Sequence, residues 1–292
     1  MSVKQIELTV APPAPHMVGD GFRVHNFIPS VYRLEMQRMD PFIMMDYNSK
    51  FMFPPTDERR GVGVHPHRGF ETVTIAYKGK VAHHDSAGNS GTIGEGEVQW
   101  MTAASGILHK EYHDESFSRS GGLFQMVQLW INLPSKYKMS EPKYQAIDRG
   151  RIVTCNLPNE SGHIEIIAGK YKDLKGAAET FTPVNLFNVF LNANKSTDFE
   201  FPSHYNTFLL VIEGSIKVNQ SETIETNHLV LFENKGEKFQ IEAEENSIVL
   251  VLSGEPINEP IVANGPFVMN TKTELIQAFR DFHAGKFGYL AE

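Results

Sequence analysis

A single cysteine, Cys155, in 292 residues removes two kinds of chemistry at once. One thiol forms no intrachain disulfide, and without a C-x-x-C pair there is no thiol-based metal motif. Cys155 is therefore expected to be an ordinary buried or half-buried side chain. No apolar run reaches the roughly 18 residues of a membrane-spanning helix. The opening segment MSVKQIELTVAPPAPHMVGDG carries a lysine but no apolar stretch of signal-peptide length. The expected location is thus the cytoplasm, or the nucleus in a eukaryote, with no membrane role. Basic runs are missing too, and 35 acidic against 27 basic residues leave a net charge of −8. Such a chain repels nucleic acid in the far field, so direct nucleic-acid binding is not expected. The chain also lacks a G-x-S-x-G elbow, a G-x-x-x-x-G-K-[ST] phosphate loop and a G-x-G-x-x-G between strand and helix. GDG at 19–21 and GEG at 94–96 read as turns.

What is present is strand. Short β-branched and aromatic runs such as ETVTIAYKG (71–79), VQWMTA (98–103), FQMVQLWINL (124–133), FLLVIEGSIKV (208–218), HLVLFE (228–233) and SIVLVLSG (247–254) alternate with Gly, Pro, Asn and Asp. Closely spaced strands separated by turn residues argue for an all-β sandwich or barrel. The length calls for two cores rather than one. Proline and charge interrupt the strand pattern near residues 134–152, and similar strand orders recur on either side of that stretch. Two β-barrels are therefore expected, over 1–134 and 135–292. The clearest helix is in NTKTELIQAFRDFHAGKFG (270–288). Thr271 and Glu274 are spaced as a capping box, Leu275, Phe279 and Phe282 share one face, and Gly285 suits a stop. The spacing predicts a helix over about 272–284.

Twelve histidines are many for this length, and several fall in one window. In GVGVHPHRGFETVTIAYKG (61–79), His65, His67 and Glu71 have equal parity and are expected to share one face. Two imidazoles at i and i+2 stand about 6–7 Å apart along a strand and can chelate one ion. Alone, such a pair can also be merely exposed or hydrogen-bonded. SGILHKEYHDE (105–115) adds His109 and Glu111, again at i and i+2. Three imidazoles and a carboxylate from neighbouring strands suit a divalent first-row metal, namely Fe(II), Mn, Ni, Cu or Zn, and leave positions for water, O2 or substrate. His83 and His84 are adjacent and point to opposite faces, so only one can join the site, and a surface or supporting role is expected. His113 lies nearly 14 Å along an extended strand from His109, too far for the same ion.

HPHRGFETVTIAYKG followed by VQWMTAASGILHKEY resembles the two metal motifs of the pirin family, within the cupin superfamily. The likeness extends to VGDGFRVH (18–25), MDPFIMMDY (39–47), LFQMVQLWINLP (123–134) and GEPINEPIVANGPFVMNT (254–271), and so covers most of the chain. It implies a bicupin with one ion, iron(II) first among the alternatives, in the N-terminal barrel. By this resemblance His65, His67, His109 and Glu111 are the metal ligands. The general cupin pattern would instead take its carboxylate from Glu71, and parity does not choose between the two. Following the family leaves Glu71 beside the ligands, with Glu111 or Glu71 as acceptor of a substrate proton. The C-terminal barrel offers Glu200, Pro202 and Asn206 at the positions of His65, His67 and Glu71, and no ion is expected there. The resemblance further implies one of two activities. The first is a quercetin 2,3-dioxygenase-type enzyme that opens a flavonol-like substrate with O2 and releases carbon monoxide. The alternative is a non-enzymatic, iron-dependent redox-sensing regulator that binds a partner protein.

Overall fold

A computed structural model describes residues 2–292. The chain is all-β, two barrels with a short C-terminal helix, plus short helical turns that include Met36–Met39 and Glu115–Ser120. Strands pair antiparallel throughout both barrels.

The barrel holding the histidine motifs comprises Pro13–Gly150 and Ile257–Glu292. One wall is a seven-stranded sheet in the order Lys143–Ile147, Val98–Thr102, Phe70–Lys78, Gly122–Asn132, Phe42–Phe53, Phe22–Ile28, His16–Val18. The other is a four-stranded sheet in the order Gly61–His67, Ile107–His113, Val81–Asp85, Ser90–Ile93. Alternation along the long strands sends Val73, Ile75, Leu129 and Ile131 into fully buried positions. The helix Lys272–His283 begins at the capping box: Thr271 Oγ1 accepts from the Glu274 amide and the Glu274 carboxylate accepts from the Thr271 amide. Phe267, Ala278 and Phe287 form the small core beneath it.

The second barrel comprises residues 2–12 with Arg151–Pro256. Its seven-stranded sheet runs Ile6–Val10, Leu229–Phe232, Asn206–Glu213, Ser247–Gly254, Val184–Leu191, Gly162–Ala168, Val153–Asn156, and three strands complete it. Its interior is filled by Phe187, Phe199, Phe201, Phe232 and Phe239, all buried. Cys155 is half-buried, packed against this core.

These units do not follow the linear division at 134/135. Ile6–Val10 pairs with Leu229–Phe232 in the second barrel, Lys143–Ile147 stays with Val98–Thr102 in the first, and the C-terminal helix belongs to the first unit. The stretch 134–152 does contain the crossing between the units, at Gly150/Arg151, but its residues up to Gly150 belong to the first, because strand pairing, not local composition, decides membership.

Candidate metal centre

The turn at Arg68–Gly69 decides which side chains meet. Strand Gly61–His67 ends there in the four-stranded sheet, and Phe70–Lys78 starts afresh in the seven-stranded one. Gly69 has φ +92°, and a Cβ on it would lie 1.9 Å from the Val268 carbonyl oxygen, so the turn needs glycine. The buried Lys138 ammonium locks it, donating to the carbonyl oxygens of Gly69 at 2.7 Å and Val268 at 3.0 Å and to Asn132 Oδ1 at 2.7 Å. Three acceptors match its three hydrogens. Arg68 is buried beside it, donating from Nε to the Ser105 carbonyl at 2.6 Å and from Nη1 to Asp281 Oδ2 at 2.9 Å.

Antiparallel pairing sets His109 opposite His65 and Ile107 opposite His67. The ring centroids of His65 and His109 are 4.2 Å apart, those of His67 and His109 4.7 Å, and those of His65 and His67 4.8 Å. One ligand atom from each of the three lies within 4.8 Å of the others. His65 Nδ1 is 2.8 Å from the Gly63 carbonyl oxygen and His67 Nδ1 is 3.4 Å from that of Pro266. A carbonyl only accepts, so each Nδ1 carries a hydrogen and each Nε2 is the ring nitrogen left for a metal. Burial first, then the neighbouring imidazole of His65, holds His67 and His109 well below the ordinary histidine range. Both are neutral at pH 7, as metal ligands must be. His109 Nε2 is buried without a hydrogen-bond partner, an anomaly that a metal ion would resolve. The donor set fits such an ion.

Glu111 is buried, and its carboxylate is held in place from three sides. Oε1 accepts from Thr74 Oγ1 at 3.2 Å and Gln99 Nε2 at 3.0 Å, and Oε2 accepts from Gln128 Nε2 at 2.6 Å. The structure groups Glu111 with His109 and His83, within 4.8 Å of one another, and not directly with His65 and His67. A register shift between His109 and Glu111 along the Gly61–His67 edge accompanies this offset.

Glu71 lies elsewhere, and the shared-face expectation for it is corrected. Thr74 reaches Glu111, and Trp130, opposite Thr72, contacts His67 at 5.1 Å. The even-numbered side chains of Phe70–Lys78 therefore face the histidines, and Glu71 faces away. There it accepts from Thr102 Oγ1 at 2.7 Å, while its other oxygen is buried without a partner. Burial raises its carboxyl to about 7, against hydrogen bonding from Thr102. The Arg68–Gly69 turn resets the alternation, so parity does not carry from His67 to Glu71.

Sequence parity gave His83 too little weight: it is fully buried, with Nδ1 3.5 Å from His109 Nδ1. The signal was His83 and Asp85 at i and i+2. His84 points to the other face, hydrogen-bonded by Nδ1 to the Tyr112 hydroxyl at 2.7 Å. His113 sits apart in an aromatic nest of Phe53, Phe117 and Phe124, with Nε2 donating to the Gly21 carbonyl at 2.7 Å. In the second barrel His204 is largely exposed, 3.7 Å from Glu255.

Two cupin barrels with a histidine cluster inside one of them define a bicupin with a candidate metal centre. The Pirin family model matches residues 21–131 and the Pirin C-terminal cupin domain model matches 186–288. A Pseudomonas aeruginosa protein provisionally named a quercetin 2,3-dioxygenase is 45% identical over 93% of this chain and 94% of its own. A pirin-like protein of Solanum lycopersicum is 38% identical over 93% of this chain and 89% of its own. The chain belongs to the pirin family. Among solved structures, that of quercetin 2,3-dioxygenase from Acinetobacter baumannii is 46% identical, with a TM-score of 0.93, covering 99% of this chain and 100% of that one.

Proposed function

We propose that the protein is an iron(II)-dependent dioxygenase of the quercetin 2,3-dioxygenase type. One observation carries the reading: three imidazoles converge beside a flat aromatic wall. His65 is only half-buried, so the cluster has an open side. Phe70 and Trp130 stack at 4.2 Å and 26°, and Trp130 lies 5.1 Å from His67. The names of the Pseudomonas and Acinetobacter relatives agree with it.

His65, His67 and His109 would hold the ion, with Glu111 as fourth ligand. A bound divalent ion supplies Lewis acidity, which lowers the pKa of an oxygen acid beside it. The protein's residues do the rest. Trp130 offers a face for a planar polyphenol ring, and Phe70 behind it keeps that wall dry. Glu111 Oε2, with one hydrogen-bond partner against two for Oε1, takes the proton of the flavonol 3-hydroxyl. Gln99, Gln128 and Thr74 keep the carboxylate aimed during the transfer. In the overall reaction both atoms of O2 enter a depside, and carbon monoxide leaves with one ring carbon.

Anaerobic purification, elemental analysis and oxygen uptake test this reading. Uptake should track metal content, require the 3-hydroxyl of the flavonol and yield carbon monoxide; a flavone without that hydroxyl should not react. Metal-replete protein that consumes no oxygen with any 3-hydroxyflavone, yet changes a partner protein's affinity on oxidation, would replace the enzyme with the regulator.

A further inference from the structure

His65 and His67 each owe their tautomer to a backbone carbonyl, but His109 has no carbonyl at its Nδ1. It has His83. Strand Val81–Asp85 pairs with Ile107–His113 so that Asp85 lies opposite His109 and His83 opposite Glu111, which puts all four side chains on one face. His83 Nδ1 is 3.5 Å from His109 Nδ1, and His83 Nε2 is 3.3 Å from Asp85 Oδ2. Asp85 is fixed in turn: Oδ1 accepts from the amides of Ala87 at 2.9 Å and Asn89 at 3.0 Å, and Oδ2 accepts from Asn89 Nδ2 at 2.9 Å. The Tyr144 ring stacks on His83 at 5.0 Å and 15°, which blocks rotation of the imidazole.

We propose that Asp85 and His83 form a relay that sets the tautomer of His109 and aims its Nε2 at the metal. The inference rests on the metal-centre reading above. An ionised carboxylate only accepts, so His83 carries a hydrogen on Nε2 toward Asp85. In the relay its Nδ1 is the acceptor, the hydrogen between the two Nδ1 atoms belongs to His109, and His109 Nε2 is bare. That atom is the one the structure leaves buried without a partner. His83 acts through His109 and is a positioning residue, one step further out than the carboxylate that commonly orients a metal-bound histidine.

The test uses full-length, metal-free protein labelled with 15N at histidine. Long-range proton–nitrogen spectra should show His109 as the Nδ1–H tautomer. His83→Phe keeps a ring on Tyr144 but offers no acceptor, so His109 should lose that bias and Co(II) affinity should fall about 10- to 100-fold. His83→Gln restores an acceptor for His109 and a donor for Asp85, and should return both the tautomer and most of the affinity. An Nε2–H tautomer in the wild type, or an unchanged tautomer in His83→Phe, would overturn the relay. So would two equivalents of Co(II) in the wild type with one lost in His83→Phe, since His83 would then be a ligand in the group it forms with His109 and Glu111. If the wild type bound no metal at all, the metal-centre reading itself would fall, whatever the spectra showed.

Discussion

Glu71→Gln should make the histidine-bearing barrel more stable at alkaline pH and leave its metal content unchanged. Glu71 is 1% exposed, with one oxygen bonded to Thr102 and the other unpartnered. Burial raises its carboxyl from the ordinary 4.5 to about 7. A carboxyl raised in the folded state binds more protons folded than unfolded between those values, so its contribution is full below pH 4.5 and is lost as pH rises through 7. At 1.36 kcal/mol per pH unit, the interval from 4.5 to about 7 corresponds to about 3 kcal/mol. Lys138, pulled down to about 7 by burial, contributes with the opposite sign above that pH, but it is common to both proteins and cancels. Glutamine keeps the acceptor for Thr102 and cannot ionise. The assay is urea unfolding at pH 5 and pH 8, followed by tryptophan fluorescence. Both tryptophans, Trp100 and Trp130, belong to the histidine-bearing barrel, so the signal reports that unit. Relative to wild type, the variant should gain about 2–3 kcal/mol between the two pH values. Parallel pH profiles for the two proteins would refute the carboxyl raised by burial. Loss of metal on Glu71→Gln would refute the orientation derived from the turn.

His67→Ala or His109→Ala should strip most bound metal by elemental analysis, and full occupancy in either would remove that residue from the ligand set. Lys138→Met removes the ammonium from three buried acceptors and should cost about 2–4 kcal/mol in urea unfolding; an effect under about 0.5 kcal/mol would mean that water or a side-chain shift replaces the ammonium. Gly69→Ala forces a Cβ to within 1.9 Å of the Val268 oxygen at φ +92°. It should both lower stability and weaken metal retention, because the same turn carries His67. Retention at wild-type level would show that the turn yields without moving the histidine.

What the sequence determined by itself is what local covalent geometry can carry. Extended backbone alternates its faces, so the i, i+2 spacing of His65 with His67 and of His109 with Glu111 already put each pair on one side of its strand. The capping box at Thr271 and Glu274 is equally local, and the helix over Lys272–His283 follows from it. The family resemblance was legible for the same reason, since it rests on contiguous motifs. Tertiary structure decided everything that depends on which strand pairs with which. Gly69, at positive φ, resets the alternation and turns Glu71 away from the histidines, and the Val268 oxygen that forbids a side chain there comes from a segment 199 residues later. His83 joins the site only because Val81–Asp85 lies beside Ile107–His113, and no local pattern states that register. The allocation of residues 2–12 and 257–292 to opposite barrels has the same cause. Parity is a property of one strand, whereas a site is made by several strands, and only their hydrogen-bonded pairing fixes how they meet.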